Sequence, residues 1–252
     1  SDTNIPLDTY VNTTLGPPPA NAPLGEYNGV PIVFTYNRSL KIDKALVSAE
    51  WLFKNLNNEN LVILDASISK VIAGNEEIST YNKQCIKGAI YFDIKNTFSD
   101  LKAGFPNTVL SPKEFEESAQ RIGICKDSCV VVYDDLGIYS SPRVWWMFQL
   151  MGFKNIAVLD GGFSHWKYKK YPTEYLENYS SKKGNFTASY QPQRIKFTND
   201  VYSAIENKTI LIVDARSKGR FYAKAPEPRL TIKGGHIPNS VNLPYTEIIE
   251  NG

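Results

Sequence analysis

Leu61-Val62-Ile63-Leu64-Asp65-Ala66 and Ile210-Leu211-Ile212-Val213-Asp214-Ala215 are two versions of one stretch: an unbroken apolar run, then aspartate, then alanine. An apolar run without alternation is the pattern of a strand covered on both faces. The segments after the two runs correspond as well. Asp65-Ala66 opens a loop that ends in Cys85-Ile86-Lys87-Gly88-Ala89-Ile90-Tyr91-Phe92. Asp214-Ala215 opens one that ends in His236-Ile237-Pro238-Asn239-Ser240-Val241-Asn242-Leu243. The halves match at an offset of 149 to 151 residues, the spacing of duplicated domains. The same helix-strand-aspartate order precedes each loop, which separates duplication from chance.

Working outward from the first run, Ser48 caps a short helix over Ala49-Glu50-Trp51-Leu52-Phe53. Ile90-Tyr91-Phe92 reads as a second strand. Ser111-Pro112-Lys113-Glu114 combines a cap, a proline at the first helical position and an acidic first turn, opening a helix to about Arg121. Val130 to Tyr133 is a third buried strand, Arg143 to Met151 a helix, and Ile156 to Leu159 a fourth strand before the Gly161-Gly162 turn. Strands alternating with helices predict an α/β fold, a parallel sheet covered on both sides. Residues 1–30, broken by Pro17-Pro18-Pro19, Pro23 and Gly25, read as an extended arm. The first domain then occupies 31–170. Residues 171–196, rich in Tyr, Ser, Lys and Pro, suit an interdomain linker wrapped over the surface, and 197–252 begin the second domain.

In the first half Val130-Val131-Val132-Tyr133 feeds the loop Asp134-Asp135-Leu136-Gly137-Ile138-Tyr139-Ser140. The counterpart in the second half falls near 283 to 285, beyond Gly252, so the second domain is expected to be incomplete within these residues. A continuation, or a second chain, would complete it.

Composition excludes several classes. Lys plus Arg number 28 against 26 Asp plus Glu, a net charge of +2, and no basic stripe marks a nucleic-acid binder. No stretch of ~18 apolar residues is present to span a membrane. Three cysteines make no disulfide framework. Cys125 and Cys129 are four apart, but only two histidines exist, both remote, so no metal site is expected. Asn-X-Ser/Thr triplets occur at Asn12, Asn37, Asn178, Asn185 and Asn207 and carry meaning only in a secretory context.

Three groups of first-half residues carry a family resemblance. They are Val130 to Asp134; Ser141-Pro142-Arg143-Val144-Trp145-Trp146-Met147-Phe148; and Val158-Leu159-Asp160-Gly161-Gly162 with Trp166. In the second half stand Asp214-Ala215-Arg216, Gly219-Arg220-Phe221, Glu227-Pro228-Arg229 and Gly235-His236-Ile237-Pro238. Together these resemble the rhodanese superfamily, more narrowly its tandem 3-mercaptopyruvate and thiosulfate sulfurtransferases, over roughly residues 45 to 250. The resemblance implies tandem rhodanese-like domains, each a parallel sheet flanked by helices, with the first catalytically inactive.

It also implies a cysteine nucleophile at the head of the second-domain loop, near 283 to 285, carrying sulfane sulfur as a persulfide from 3-mercaptopyruvate or thiosulfate to a thiol, a thioredoxin-like protein or cyanide. No cofactor or metal is implied. Arg220 and Arg229 match the family's substrate-binding arginines, whose planar guanidinium forks suit a carboxylate. Asp93, Asn107, Glu227 and His236 are supporting positions. Asn107 stands where the family has a histidine, and Glu227 is expected to orient Arg229 or a loop amide. Asp134 occupies the first domain's nucleophile position, where a carboxylate cannot accept sulfur. Asp65 and Asp214 are expected to bond their own loops, and Arg216 to pair with Asp214 or another carboxylate. The alternative is a non-catalytic rhodanese-like binding or scaffold protein, which would lack the distal cysteine. The thiol chemistry fits cytoplasm or mitochondrial matrix, and the Asn-X-Ser/Thr triplets leave an extracytoplasmic location open.

Overall fold

The computed structural model describes residues 23–27, 30–33, 39–68, 83–176, 182–207, 209–228 and 232–249. Residues 1–38 and 39–252 form two units. The first contains a hairpin of β1 (Pro23–Tyr27) and β2 (Val30–Val33), paired antiparallel from Pro23 opposite Val33 to Tyr27 opposite Val30. The arm expected over 1–30 is therefore a paired strand over 23–27, and its partner lies across the expected boundary. The rest of the arm falls outside the described residues.

In the larger unit the central strand is Cys129-Val130-Val131-Val132-Tyr133 (β7), buried throughout. A strand's side chains alternate between faces, and here both faces are covered. Val130 and Val132 join a core with Phe115, Phe148 and Phe153, while Val131 and Tyr133 pack with Leu52, Leu159 and Trp166. The sheet runs β3 (Leu46–Val47), β8 (Ile156–Leu159), β7, β4 (Leu61–Asp65) and β6 (Ala89–Tyr91), all parallel. Helices α2 (Pro112–Arg121) and α3 (Ser141–Leu150) contribute to the first core. Helices α1 (Ala49–Asn55) and α4 (Gly162–Tyr168) contribute to the second. Ser48 accepts from the Trp51 amide at 3.1 Å, and Ser111 and Glu114 form a reciprocal capping box.

Residues 171–196 differ from the expected surface linker. Thr173–Tyr175 (β9) pairs antiparallel with Gln84–Ile86 (β5). Phe186 is fully buried, with its ring edge-on to Phe148 at 5.8 Å. Amides of Gly184 and Phe186 bond the carbonyls of Gln120 and Ile124, and those of Ser189 and Gln191 bond Met151 and Leu150. The stretch thus stitches the ends of α2 and α3 together. Gly184 is required there, because a Cβ would lie 2.0 Å from the Ile124 carbonyl oxygen.

Beyond residue 196 the order is α5 (Thr198–Glu206), β10 (Ile212–Asp214), α6 (Lys218–Phe221) and β11 (Ser240–Asn242). β10 pairs parallel with β11, with Ile212 opposite Ser240 and Asp214 opposite Asn242. β4 meets β6 in the same way, with Ile63 opposite Ala89 and Asp65 opposite Tyr91. Burial differs sharply. Leu211, Val213, Val241 and Leu243 are exposed, and Phe221 is the one buried large apolar side chain among the described residues of this segment.

Candidate functional site

Both halves begin their sites at a strand's carboxyl end, where open α/β sheets bind ligands. After β4, Asp65 Oδ1 accepts from the Ser67 amide at 2.9 Å and hydroxyl at 2.5 Å. Its Oδ2 accepts from the Tyr133 hydroxyl at 3.0 Å and pairs with Lys83 at 3.2 Å. Burial, followed by the neighbouring Asp65 charge, pushes the Tyr133 phenol far above its usual range and keeps it a donor.

The loop after β7 is filled by its own first residue. Asp134 Oδ2 accepts from the amides of Tyr139, Ser140 and Ser141 at 2.9, 3.0 and 2.9 Å and from the Ser141 hydroxyl at 2.6 Å. Oδ1 takes the Leu136 amide at 3.0 Å. These donors lead into the amino terminus of α3, which favours negative charge. The carboxylate is fully buried and takes the amides of Leu136, Tyr139, Ser140 and Ser141, so those four donors are not offered to a substrate. Gly162, at φ 53°, packs beneath it; a Cβ would lie 2.5 Å from the Asp134 carbonyl oxygen.

The second half gathers its charged side chains from a single stretch that starts at the end of β10. Asp214 Oδ1 accepts from the Arg216 amide at 2.9 Å, repeating the Asp65–Ser67 turn. The Arg216 side chain pairs with Asp214 at 2.6 Å and with Glu227 at 2.9 Å, resolving its partner as both carboxylates. Arg220 donates to Glu227 through Nε at 3.0 Å and Nη2 at 2.5 Å. Hydrogen bonds from Arg220, with the charges of Arg220 and Arg216, hold the Glu227 carboxyl below its usual range. It is ionised and fully engaged, which suits orientation and not proton transfer. The residue it orients among those described is Arg220; Arg229 lies outside the described residues. His236 stacks on Phe221 with ring centroids 3.8 Å apart, and its Nδ1 donates to the Phe221 carbonyl at 2.9 Å. That bond and the stacking fix the imidazole against Phe221.

Asp93 serves its own loop, and Asn107 ties its loop to α3. Asp93 accepts from the amides of Lys95 and Asn96 at 3.2 and 3.1 Å. Asn107 is left-handed at φ 59°, a region that asparagine tolerates, and its carbonyl accepts from Arg143 Nη2. Among the described residues no hydrogen bond or ion pair joins either to the Arg216–Glu227–Arg220 group. Arg143, which the sequence did not single out as a site residue, is the clamp on this rim. The signal was its place at the head of α3, but its target 36 residues away was not readable.

A cleft of about 610 Å³ lies beside β3 and β8, lined by Ser48, Glu50, Gly137, Asp160, His165 and Ile248. Asp93, Asn107, Arg220, Glu227 and His236 do not line it. A depression of about 450 Å³ is lined by Glu227, Lys224, Pro226 and Ile232. No group of three His, Cys, Asp or Glu side chains able to hold a metal occurs among the described residues. Burial pushes the Cys129 thiol up to about 12, and burial with the Asp65 charge pushes Cys85 up to about 11. Neither is suited to act as a thiolate near neutrality.

A rhodanese-like domain model matches residues 48–169. The mouse 3-mercaptopyruvate sulfurtransferase is 36% identical over 214 residues, which cover 82% of this chain and 71% of the mouse protein. The chain belongs to the rhodanese superfamily. It is similar also to the 3-mercaptopyruvate sulfurtransferase of Escherichia coli, at 30% identity over 82% of this chain and 73% of that one. It is similar to mouse thiosulfate sulfurtransferase at 32% identity, over 82% of this chain and 71% of that one. The crystal structure of SseA from E. coli superposes with a TM-score of 0.74, at 28% identity, over 82% of this chain and 77% of that one. The chain is accordingly a sulfurtransferase, an enzyme that moves sulfane sulfur. Among the described residues no helix is long and apolar enough to cross a membrane.

Proposed function

We propose that this sulfurtransferase takes sulfur from 3-mercaptopyruvate, with thiosulfate as the lesser donor, and passes it through a cysteine persulfide to a thiol, a thioredoxin-like protein or cyanide. The observation that carries the reading is Arg220, held at the carboxyl-end loop of β10 by a buried carboxylate while a third of its side chain meets solvent. A guanidinium so held presents a planar donor edge to a carboxylate such as the one 3-mercaptopyruvate carries. Arg229, in Glu-Pro-Arg, is the second arginine of the pair, and that tripeptide resembles the mercaptopyruvate branch.

The chain is read as a tandem protein. The inactive domain begins at residue 39 and takes in the packed stretch that carries β9 and Phe186, and residues 197–252 are the opening of the catalytic domain. The shared register of β4·β6 and β10·β11 supports the duplication, as do the Phe92 and Leu243 amides, which bond the Asp65 and Asp214 carbonyls at 2.8 and 3.0 Å. The nucleophile is then a cysteine near position 283–285, on a continuation of the chain or a completing partner. Its thiolate attacks the donor sulfur, so an S–S bond forms as the C–S bond breaks. Pyruvate departs as an enolate that takes a proton from water, and the acceptor thiolate then attacks the outer sulfur and regenerates the enzyme thiolate. The compartment proposed is cytoplasm or mitochondrial matrix.

The test is Arg220→Ala in the natural protein. KM for 3-mercaptopyruvate should rise by about tenfold or more, as expected for loss of a charged hydrogen bond. An unchanged KM would remove Arg220 from the donor site.

A further inference from the structure

The ionic chain behind Arg220 is asymmetric. Arg216, with 27% of its side chain exposed, has every guanidinium nitrogen engaged: Nε and Nη2 reach Asp214 at 3.0 and 2.6 Å, Nη2 also reaches the Gly235 carbonyl at 2.6 Å, and Nη1 reaches Glu227 Oε1 at 2.9 Å. Glu227 divides its oxygens, with Oε1 on Arg216 and Oε2 on the Nε–Nη2 edge of Arg220. The Glu227 side chain is 2% exposed and that of Arg220 is 32% exposed. The chain therefore runs from the end of β10 to Arg220, whose Nη1 makes no hydrogen bond among the described residues.

Helix α6, which carries Arg220, has only four residues and cannot by itself fix a long side chain. The fixing comes from the carboxylate, which occupies one edge of the fork and leaves the Nη1 side for a ligand. Glu227 in turn is fixed by Arg216, and Arg216 by the sheet through Asp214 and by the loop through Gly235. Asn242 Nδ2 adds donors to the carbonyls of Asp214 and Arg216 at 2.9 and 2.8 Å, tying the same turn to β11.

We propose that Arg216 and Glu227 are positioning residues that hold Arg220 by its Nε–Nη2 edge, so that its Nη1 side meets the carboxylate of the sulfur donor. This rests on the reading of Arg220 as a donor-binding residue. It adds that donor affinity is set by an ionic relay behind Arg220 that does not itself contact the donor.

The experiment measures kcat and KM for 3-mercaptopyruvate in the natural protein carrying Glu227→Gln, Glu227→Asp, Arg220→Ala, or Arg220→Ala with Glu227→Gln. Glu227→Gln keeps the shape and removes the charge; Glu227→Asp keeps the charge and shortens its reach. Both should raise KM about tenfold, with kcat within about twofold, because the interaction lost is one of ground-state binding. In the double variant the loss should be no larger than in Arg220→Ala alone, since residues acting through one another do not add. A purely structural Glu227 would give additive losses, which would overturn the proposal. So would an unchanged or lowered KM in Glu227→Gln, because the carboxylate would then be neutral or a competitor for Arg220. If Arg220→Ala leaves KM unchanged, the donor-binding reading falls and takes this inference with it. If Arg220→Ala raises KM and Glu227→Gln does not, only the inference falls.

Discussion

β4 and β10 end in the same aspartate turn and meet their first partners in the same register, yet one strand is sealed and the other is open. β4 lies between β6 and β7, and Leu64 is fully buried. At the matching position in β10, Val213 is 48% exposed, and β11 is the only strand paired with β10 among the described residues. The difference teaches that the repeated segment specifies the turn and the register, whereas burial comes from the neighbouring strands and helices. It also separates two uses of charge. In the first half Asp134 takes the amides of its own loop and closes it. In the second, the Asp214–Arg216–Glu227 relay ends on Arg220, which still has an outward edge.

The largest break in the comparison should come from truncating the matched strand positions. Leu64→Ala should cost about 3 kcal/mol in urea unfolding, within the range for a fully buried leucine. Val213→Ala should cost under about 0.5 kcal/mol when measured on these 252 residues, as for a surface position. Equal costs would mean that β10 is buried as β4 is. A smaller effect is expected at the sealed loop. Asp134→Asn removes the charge and turns an acceptor into an NH₂ group facing backbone donors, which should destabilise by roughly 2 kcal/mol. A neutral result would show that the converging amides find other acceptors.

Much of the first half was legible because its signals are local. The run Val130-Val131-Val132-Tyr133 and the Ser111-Pro112-Lys113-Glu114 cap each carry their own structural cause, and β7 and α2 fall where those residues require. Residues 171–196 were not legible. Phe186 is one aromatic between polar neighbours, and its burial depends on α2 and α3 leaving a site for it. β9 likewise exists through pairing with a strand almost ninety residues earlier, which no periodicity within Thr173–Tyr175 encodes. At the site, Arg220 and Glu227 were visible as residue types in a resembling pattern. Their mutual hydrogen bonds, and the capture of Arg216 by two carboxylates, depend on loop closure across residues 216–227. Asn107 is explained by its backbone: a left-handed position held by Arg143 favours asparagine whatever its side chain contacts.

The most direct test of the division between a closed first half and a chemical second half is to locate the persulfide in the natural protein. Peptide mapping by mass spectrometry after treatment with 3-mercaptopyruvate should find one added sulfur on a cysteine near position 283–285, and none on Cys85, Cys125 or Cys129. Sulfur on one of those three cysteines, or on none at all, would contradict the account.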